Sequence, residues 1–237
     1  MSGHSRWSNI KRTKEKSDAQ KGKIFTKIGR ELAVAVKNGG TDPETNGKLK
    51  DAIAKAKANN MPNESIQRAL KKASGELSDV NFEDITYEGY GIGGVAVMVK
   101  CLTDNKNRTA GDVRHAFDKF GGSLGSNGCV SYLFTEKGVI SVDLNEDFDR
   151  VFELALELGA EDIENADESI VITTSVSQVF EIAQKLVDSK IKVISSSKEL
   201  IPSTYIALDA EKTKTFEKMM DMLEDLDDVQ EVVHNAE

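Results

Sequence analysis

Three prolines, two cysteines and one tryptophan in 237 residues leave little room for several kinds of protein. Cys101 and Cys129 lie far apart and form no CxxC pair. They therefore read as small buried hydrophobes in a reducing compartment, not as a disulfide framework or a thiolate metal centre. No apolar run approaches the roughly 18 residues needed to cross a bilayer, and the N-terminus is polar and basic with no signal-peptide core. A cytosolic protein without membrane contact is expected.

Reactive constellations are scarce as well. His4, His115 and His234 have no companion ligands at metal spacing. No G-x-S-x-G elbow or Cys–His arrangement is present. The glycines of YEGYGIGG precede a strand and lack the GxxxxGK[ST] pattern, so a hairpin turn explains them better than a phosphate loop. GGSLGSNG lies between a helix and a strand, where glycine serves positive φ, although its amides have the makings of an anion nest. In DLNEDFD, Asp143, Asn145, Asp147 and Asp149 stand in EF-hand register, but Phe148 holds the glycine position and Leu154 the bidentate glutamate position. No metal, cofactor or catalytic set is expected, and the chain reads as a non-enzyme. An enzyme or small-molecule binder using a cleft between modules is the remaining alternative of that class.

What the chain does have is segregated charge. The net charge of −9 would by itself argue against a polyanionic partner. Yet residues 1–73 hold 17 Lys and Arg against 7 Asp and Glu, whereas the remainder holds 14 against 33, giving +10 and −19. Such asymmetry fits a segment that meets nucleic acid, with an acidic body that stays soluble and avoids non-specific contact.

The pattern along the chain supports that division. Residues 1–23 contain only Trp7 and Ile10 as large apolar side chains, too few to offset the entropy of folding, so a mobile basic arm is predicted. A helical nucleic-acid-binding domain over 24–75 follows. Its first helix carries Ile24, Phe25, Ile28, Leu32 and Ala35 at helical spacing; its second starts after Asp42-Pro43, and its third after Pro62. Beyond residue 75, strands and helices alternate. A hairpin spans DITYEGYGIGGVAVMVKCLT, a helix RTAGDVRHAFDKFGG and a strand GCVSYLF; a second strand–helix series then runs to residue 202. YIALD and the last helix and strand supply what the 76–134 unit lacks. The predicted fold class is thus α+β: an N-terminal three-helix domain followed by two ferredoxin-like α+β modules, one inserted in the other. The inserted module is 135–202 and the discontinuous one is 76–134 plus 203–237.

Candidate binding residues follow from charge. Arg6, Lys11, Arg12, Lys14, Lys16, Lys21 and Lys23 place seven cations in 23 residues, enough to neutralise several phosphates and make binding steeply salt-dependent. Trp7 among them either stacks on an exposed base or docks the arm on the helices. Lys27, Arg30, Lys55, Lys57, Arg68, Lys71 and Lys72 continue the positive charge onto the helical domain.

GHSRWSNIKRTKEKSDAQKGKIFTKIGREL, KAKANNMPNESIQRALKKASG, YEGYGIGGVAVMVKCLTDNKNRT and DVRHAFDKFGGSLG together resemble the YebC/PmpR family, from the N-terminus to the last strand. The resemblance implies the family's three-domain α+β architecture. It also implies a nucleic-acid surface: members carry the label of probable transcriptional regulators that bind promoter DNA, mitochondrial relatives are translational activators, and some bacterial relatives are linked to ribosomes stalled on proline-rich stretches. The matching positions are Gly3, His4, Ser5, Arg6, Trp7, Asn9, Ile10 and Lys11 in the arm, and Asn107, Arg108, Thr109 and Arg114 in the second domain. Ile92 departs from the proline common in the family's GYGPGG turn. The expected partner is therefore DNA or, on the second reading, ribosomal RNA within the ribosome, bound by a monomer.

Overall fold

The computed structural model describes residues 18–74, 82–166 and 169–237. Two compact units share them: one holds the described residues up to Val130 together with Leu208–His234, the other Ser131–Ala207 with Asn235–Glu237.

The first unit opens with three helices, α1 (Asp18–Gly39), α2 (Gly47–Ala58) and α3 (Asn63–Ser74). Ile28, Leu32 and Ala35 of α1 meet Leu49, Ala52 and Ala56 of α2 and Ile66 of α3 in one core, with Met61 closing the turn between α2 and α3. The predicted apolar stripes thus converge. Two local expectations change. α1 begins at Asp18, so residues 18–23, assigned to the arm, form its first turns; a helix extends outward from a buried stripe at little further cost once nucleated. α2 starts not directly after Asp42-Pro43 but at Gly47, with Asn46 as its cap. The Asn46 side chain accepts from Leu49 N (3.1 Å) while its Nδ2 donates to Ala35 O (2.7 Å) and Gly40 O (2.9 Å), tying α2 to the end of α1.

A four-stranded antiparallel sheet completes this unit. Strands β1 (Glu83–Tyr90) and β2 (Ala96–Thr103) form the predicted hairpin, with Tyr90 opposite Ala96 and the connection turned by Gly93 (φ 74°) and Gly94 (φ 81°). Helix α4 (Lys106–Lys119) follows, then β3 (Ser123–Leu124). Much later in the chain come α7 (Ala210–Asp225) and β8 (Val229–His234), and the strand order is β3-β1-β2-β8. Here β3 replaces the predicted GCVSYLF strand, because the amides of Gly128 and Val130 are engaged by a side chain (below) and cannot join a ladder. YIALD also forms no strand: only a single parallel bridge links Ile206 to Ala236.

The second unit runs β4 (Phe134–Asp143), α5 (Phe148–Glu157), β5 (Asp162–Asn165), β6 (Ser169–Thr174), α6 (Val179–Asp188) and β7 (Val193–Pro202), in sheet order β5-β6-β4-β7. This is the split-βαβ arrangement, whereas the first sheet is built as hairpin, helix, strand, helix, strand. Ile140, Val142, Ile170 and Ile172 of the sheet pack on Val151, Ala155, Val179, Ile182 and Leu186 of the two helices. The carboxylates in EF-hand register have local partners: Asp143 accepts from Asn145 N and Nδ2 at 2.9 and 2.7 Å and pairs with Lys192, and Asp147 caps α5 through Asp149 N and Arg150 N. Asp147→Ala should lower stability by about 1 kcal/mol in urea titration, the usual cost of a lost N-cap; no change would mean the cap is not formed in solution.

Candidate nucleic-acid interface

Lys23, Lys27 and Arg30 are four and then three residues apart, so they share one face of α1. That face meets the C-terminal end of α7 and the turn leading into β8. Lys23 Nζ lies 3.0 Å from Asp225 Oδ1, Lys27 Nζ donates to Glu224 O at 2.6 Å, and Arg30 donates to Asp227 O at 2.8 Å and Asp228 Oδ1 at 2.7 Å. These are the carbonyl end of a helix and its acidic continuation, where cations satisfy orphan oxygens and complement the dipole. Burial lowers the Lys27 pKa, against opposing fields from Glu224 and Asp227.

Asp228 is the centre of the cluster, with its side chain 8% exposed. Its Oδ2 accepts from Arg108 Nη2 at 2.6 Å, and the hydroxyls of Thr109 and Thr103 lie 2.8 and 3.2 Å from the same oxygen. Burial pushes this carboxyl up, but hydrogen bonds from Arg108, Thr109 and Arg30 outweigh it and hold it below the ordinary aspartate value. The bond Arg108 donates to Asp228, with a further one it donates to Asp104, raises the Arg108 guanidinium in turn. In the sequence Asp228 ends an acidic run, LEDLDD, that resembles a solvated helix tip; only its position directly before an apolar strand hints otherwise.

The candidate residues therefore divide. His4, Arg6, Trp7, Asn9, Lys11, Arg12, Lys14 and Lys16 lie outside the described residues. Lys23, Lys27, Arg30 and Arg108 have their charges engaged inside the chain, and Lys55 pairs with Glu31. Lys21 sits on the first turns of α1, exposed. Lys57 on α2, Arg68, Lys71 and Lys72 on α3, and Arg114 on α4 are exposed and form no ion pair among the described residues. On α3, Arg68 is three residues from Lys71 and four from Lys72, so these three form one cationic flank.

The nest suggested by GGSLGSNG, residues 121–128, already has an internal anion at its end. Glu88, buried in β1, accepts from Gly128 N and Val130 N, both at 2.9 Å, through its two carboxylate oxygens. An internal anion thus occupies the amides that a phosphate would need. Sequence reading missed Glu88, since a lone acid in a strand resembles any solvent-facing residue.

Comparison with known proteins places these features in a family. Residues 5–76 match the model described as TACO1/YebC protein N-terminal domain, and residues 82–236 the model described as TACO1/YebC second and third domain. A "Probable transcriptional regulatory protein" of Hathewaya histolytica is 54% identical over 100% of this chain and 97% of its own length, and one of Acetivibrio thermocellus is 53% identical over 99% and 98%. The crystal structure of a conserved hypothetical protein from Aquifex aeolicus superposes with a TM-score of 0.84 at 44% identity, covering 98% of this chain and 97% of that one.

Proposed function

Because the chain belongs to the TACO1/YebC family, and its relatives are named for transcriptional regulation, we propose that it is a non-enzymatic regulator of gene expression that binds nucleic acid, DNA in the first reading, through the N-terminal arm and the free cationic flank of the helices. The observation that carries this reading is the contrast between the two sets of cations. Those facing the acidic α7–β8 turn are neutralised within the fold, whereas Lys57, Arg68, Lys71 and Lys72 stay exposed without an acidic partner among the described residues. Unpaired surface cations are available to neutralise phosphates and so release the counterions condensed on a polyanion. Trp7 gives the ribosomal-RNA reading its weight, since an indole among cations suits stacking on unpaired bases.

Binding of purified protein to duplex DNA and to single-stranded RNA across a salt series tests both readings. Arg68→Gln, Lys71→Gln and Lys72→Gln combined should reduce the slope of log K against log salt by roughly 0.9 for each phosphate contact removed from duplex DNA, and more steeply reduce affinity at low salt. Removing residues 2–17 should weaken binding further, and Trp7→Ala should cost about 1–3 kcal/mol if the indole meets a base. Equal affinity and slope in all variants would overturn the proposal; loss confined to RNA would favour the ribosomal reading.

A further inference from the structure

Helices α2 and α3 are joined by four residues, 59–62. The C-terminus of α2 closes in a Schellman pair, with Met61 N donating to Ala56 O at 3.0 Å and Asn60 N to Lys57 O at 2.9 Å. This pairing needs a left-handed residue just past the helix, and Asn60 supplies it with φ 57°; asparagine enters that region more readily than other side chains do. Met61 and Ala56 are both buried in the three-helix core. Pro62 then opens α3, its carbonyl accepting from Ser65 N and Ile66 N at 2.9 and 3.1 Å. The turn is thus fixed by its own hydrogen bonds and by one buried side chain, and α1 packs its apolar stripe on both helices. Two short helices on such a turn are the frame of a helix-turn-helix, whose second helix enters the major groove of DNA.

Ile66 turns one side of α3 into the core. At about 100° per residue, Glu64, Arg68 and Lys71 fall on the opposite side, with Gln67 and Lys72 flanking them. All five are exposed, and none uses its side chain in an ion pair or hydrogen bond among the described residues. A surface that only neutralises phosphates has no use for a carboxylate on its midline or an amide beside it. Base edges do: arginine pairs with guanine O6 and N7, glutamine with adenine N6 and N7, and a carboxylate accepts from cytosine N4. Residues 47–74 hold seven Lys and Arg against two Asp and Glu, and Lys48, Lys50 and Lys57 of α2 are exposed as well. The first helix of such a motif crosses the phosphate backbone, where those cations are needed.

From these observations we infer that α2 and α3 form a helix-turn-helix that reads duplex DNA, with α3 in the major groove. Gln67 and Arg68 contact base edges and determine sequence preference, Glu64 accepts from a base amine, and Lys48, Lys71 and Lys72 meet phosphates. The inference rests on the nucleic-acid reading above and assigns it a duplex, a groove and a division of labour between side chains. Double-stranded RNA does not fit, because its major groove is too deep and narrow for side chains to read.

The test starts by selecting, with the full-length protein, from a duplex DNA library with a randomised core. Wild type should enrich a preferred sequence, and methylation of guanine N7 within it, in the major groove, should block binding. Gln67→Ala, which removes no charge, should lower the ratio of preferred to random duplex affinity by roughly 5- to 150-fold, the worth of one bidentate base contact. Its affinity for random duplex and its salt slope should stay at the wild-type values. Arg68→Ala should relax preference by a similar factor at a different base pair, whereas Lys71→Gln should weaken preferred and random duplexes alike. These side chains are exposed, so unchanged thermal midpoints check that the variants fold. Duplex binding with a steep salt slope but no enriched sequence would overturn the recognition helix and leave the cationic surface standing. So would binding that tolerates guanine N7 methylation and is displaced by the minor-groove ligand distamycin. Binding to single-stranded RNA alone would overturn the inference too, and binding to neither nucleic acid would remove the reading on which it rests.

Discussion

Asp228→Asn should remove about 3 kcal/mol of stability and lower the thermal midpoint of the unit that contains α1 by roughly 5–10 °C. The side chain is nearly buried and receives two guanidinium groups, from Arg30 and Arg108. An amide keeps the shape but turns N–H groups toward donors and leaves Arg30 facing an uncharged partner. Half-exposed Arg108 recovers water, which keeps the figure below the upper end for a severed buried pair. The adjacent pair is the control. Lys23 and Asp225 are both well exposed, so Asp225→Asn should cost less than about 1 kcal/mol.

The sign of the pH dependence follows from the depressed Asp228 pKa. A carboxyl held below its unfolded value contributes stability above that unfolded value, near 4, and loses it as pH falls through the lower folded value. Acid unfolding of the wild type should therefore include a component below about pH 4 that Asp228→Asn lacks. Parallel acid limbs in the two proteins would show that the cluster does not carry its charge as drawn. The variant also separates stability from binding. If Arg30 and Arg108 were phosphate ligands, freeing them would raise polyanion affinity; if they serve only to join α1 to the α7–β8 turn, affinity at a temperature where the variant is folded should stay unchanged.

Glu88→Gln should have the second largest effect, a loss of about 2 kcal/mol concentrated in one loop. Two backbone amides, of Gly128 and Val130, now share one carboxylate. A glutamine keeps one acceptor oxygen and sets an NH2 against the other amide, orphaning a buried donor. Because 1.4 kcal/mol is a factor of ten, hydrogen exchange of those two amides should accelerate by roughly 30-fold in local opening. Exchange left as slow as in the wild type would mean that the loop is held by its other contacts, such as Gly125 N to Glu88 O at 2.8 Å and Tyr90 Oη to Cys129 O at 3.0 Å. An apolar replacement, Glu88→Leu, should be worse, since both donors are then unpaired.

Several features were legible because they are local or periodic. The apolar stripes of Ile28, Leu32 and Ala35 and of Leu49 and Ala56 announce helices with one buried face, and the YGIGG turn between two β-rich runs announces β1 and β2. Segregated charge and the N-terminal motif pointed to the family that the domain matches show. β5 was missed because DIEN is four residues with one strong strand former, and β3 because two residues carry no period at all.

The amino-acid sequence by itself thus determined the fold class, the family and the excess of positive charge at the N-terminal end, because each depends on residue type and short-range spacing. Only the tertiary structure decided which of those charges remain available. Lys27 and Arg30 look like Arg68 and Lys71 on any helical face, yet 197 and 198 residues along the chain Glu224, Asp227 and Asp228 close over the first pair and leave the second in water. Sequence spacing cannot report such a contact, since the energy that selects it arises from burial and electrostatics between segments brought together only by folding.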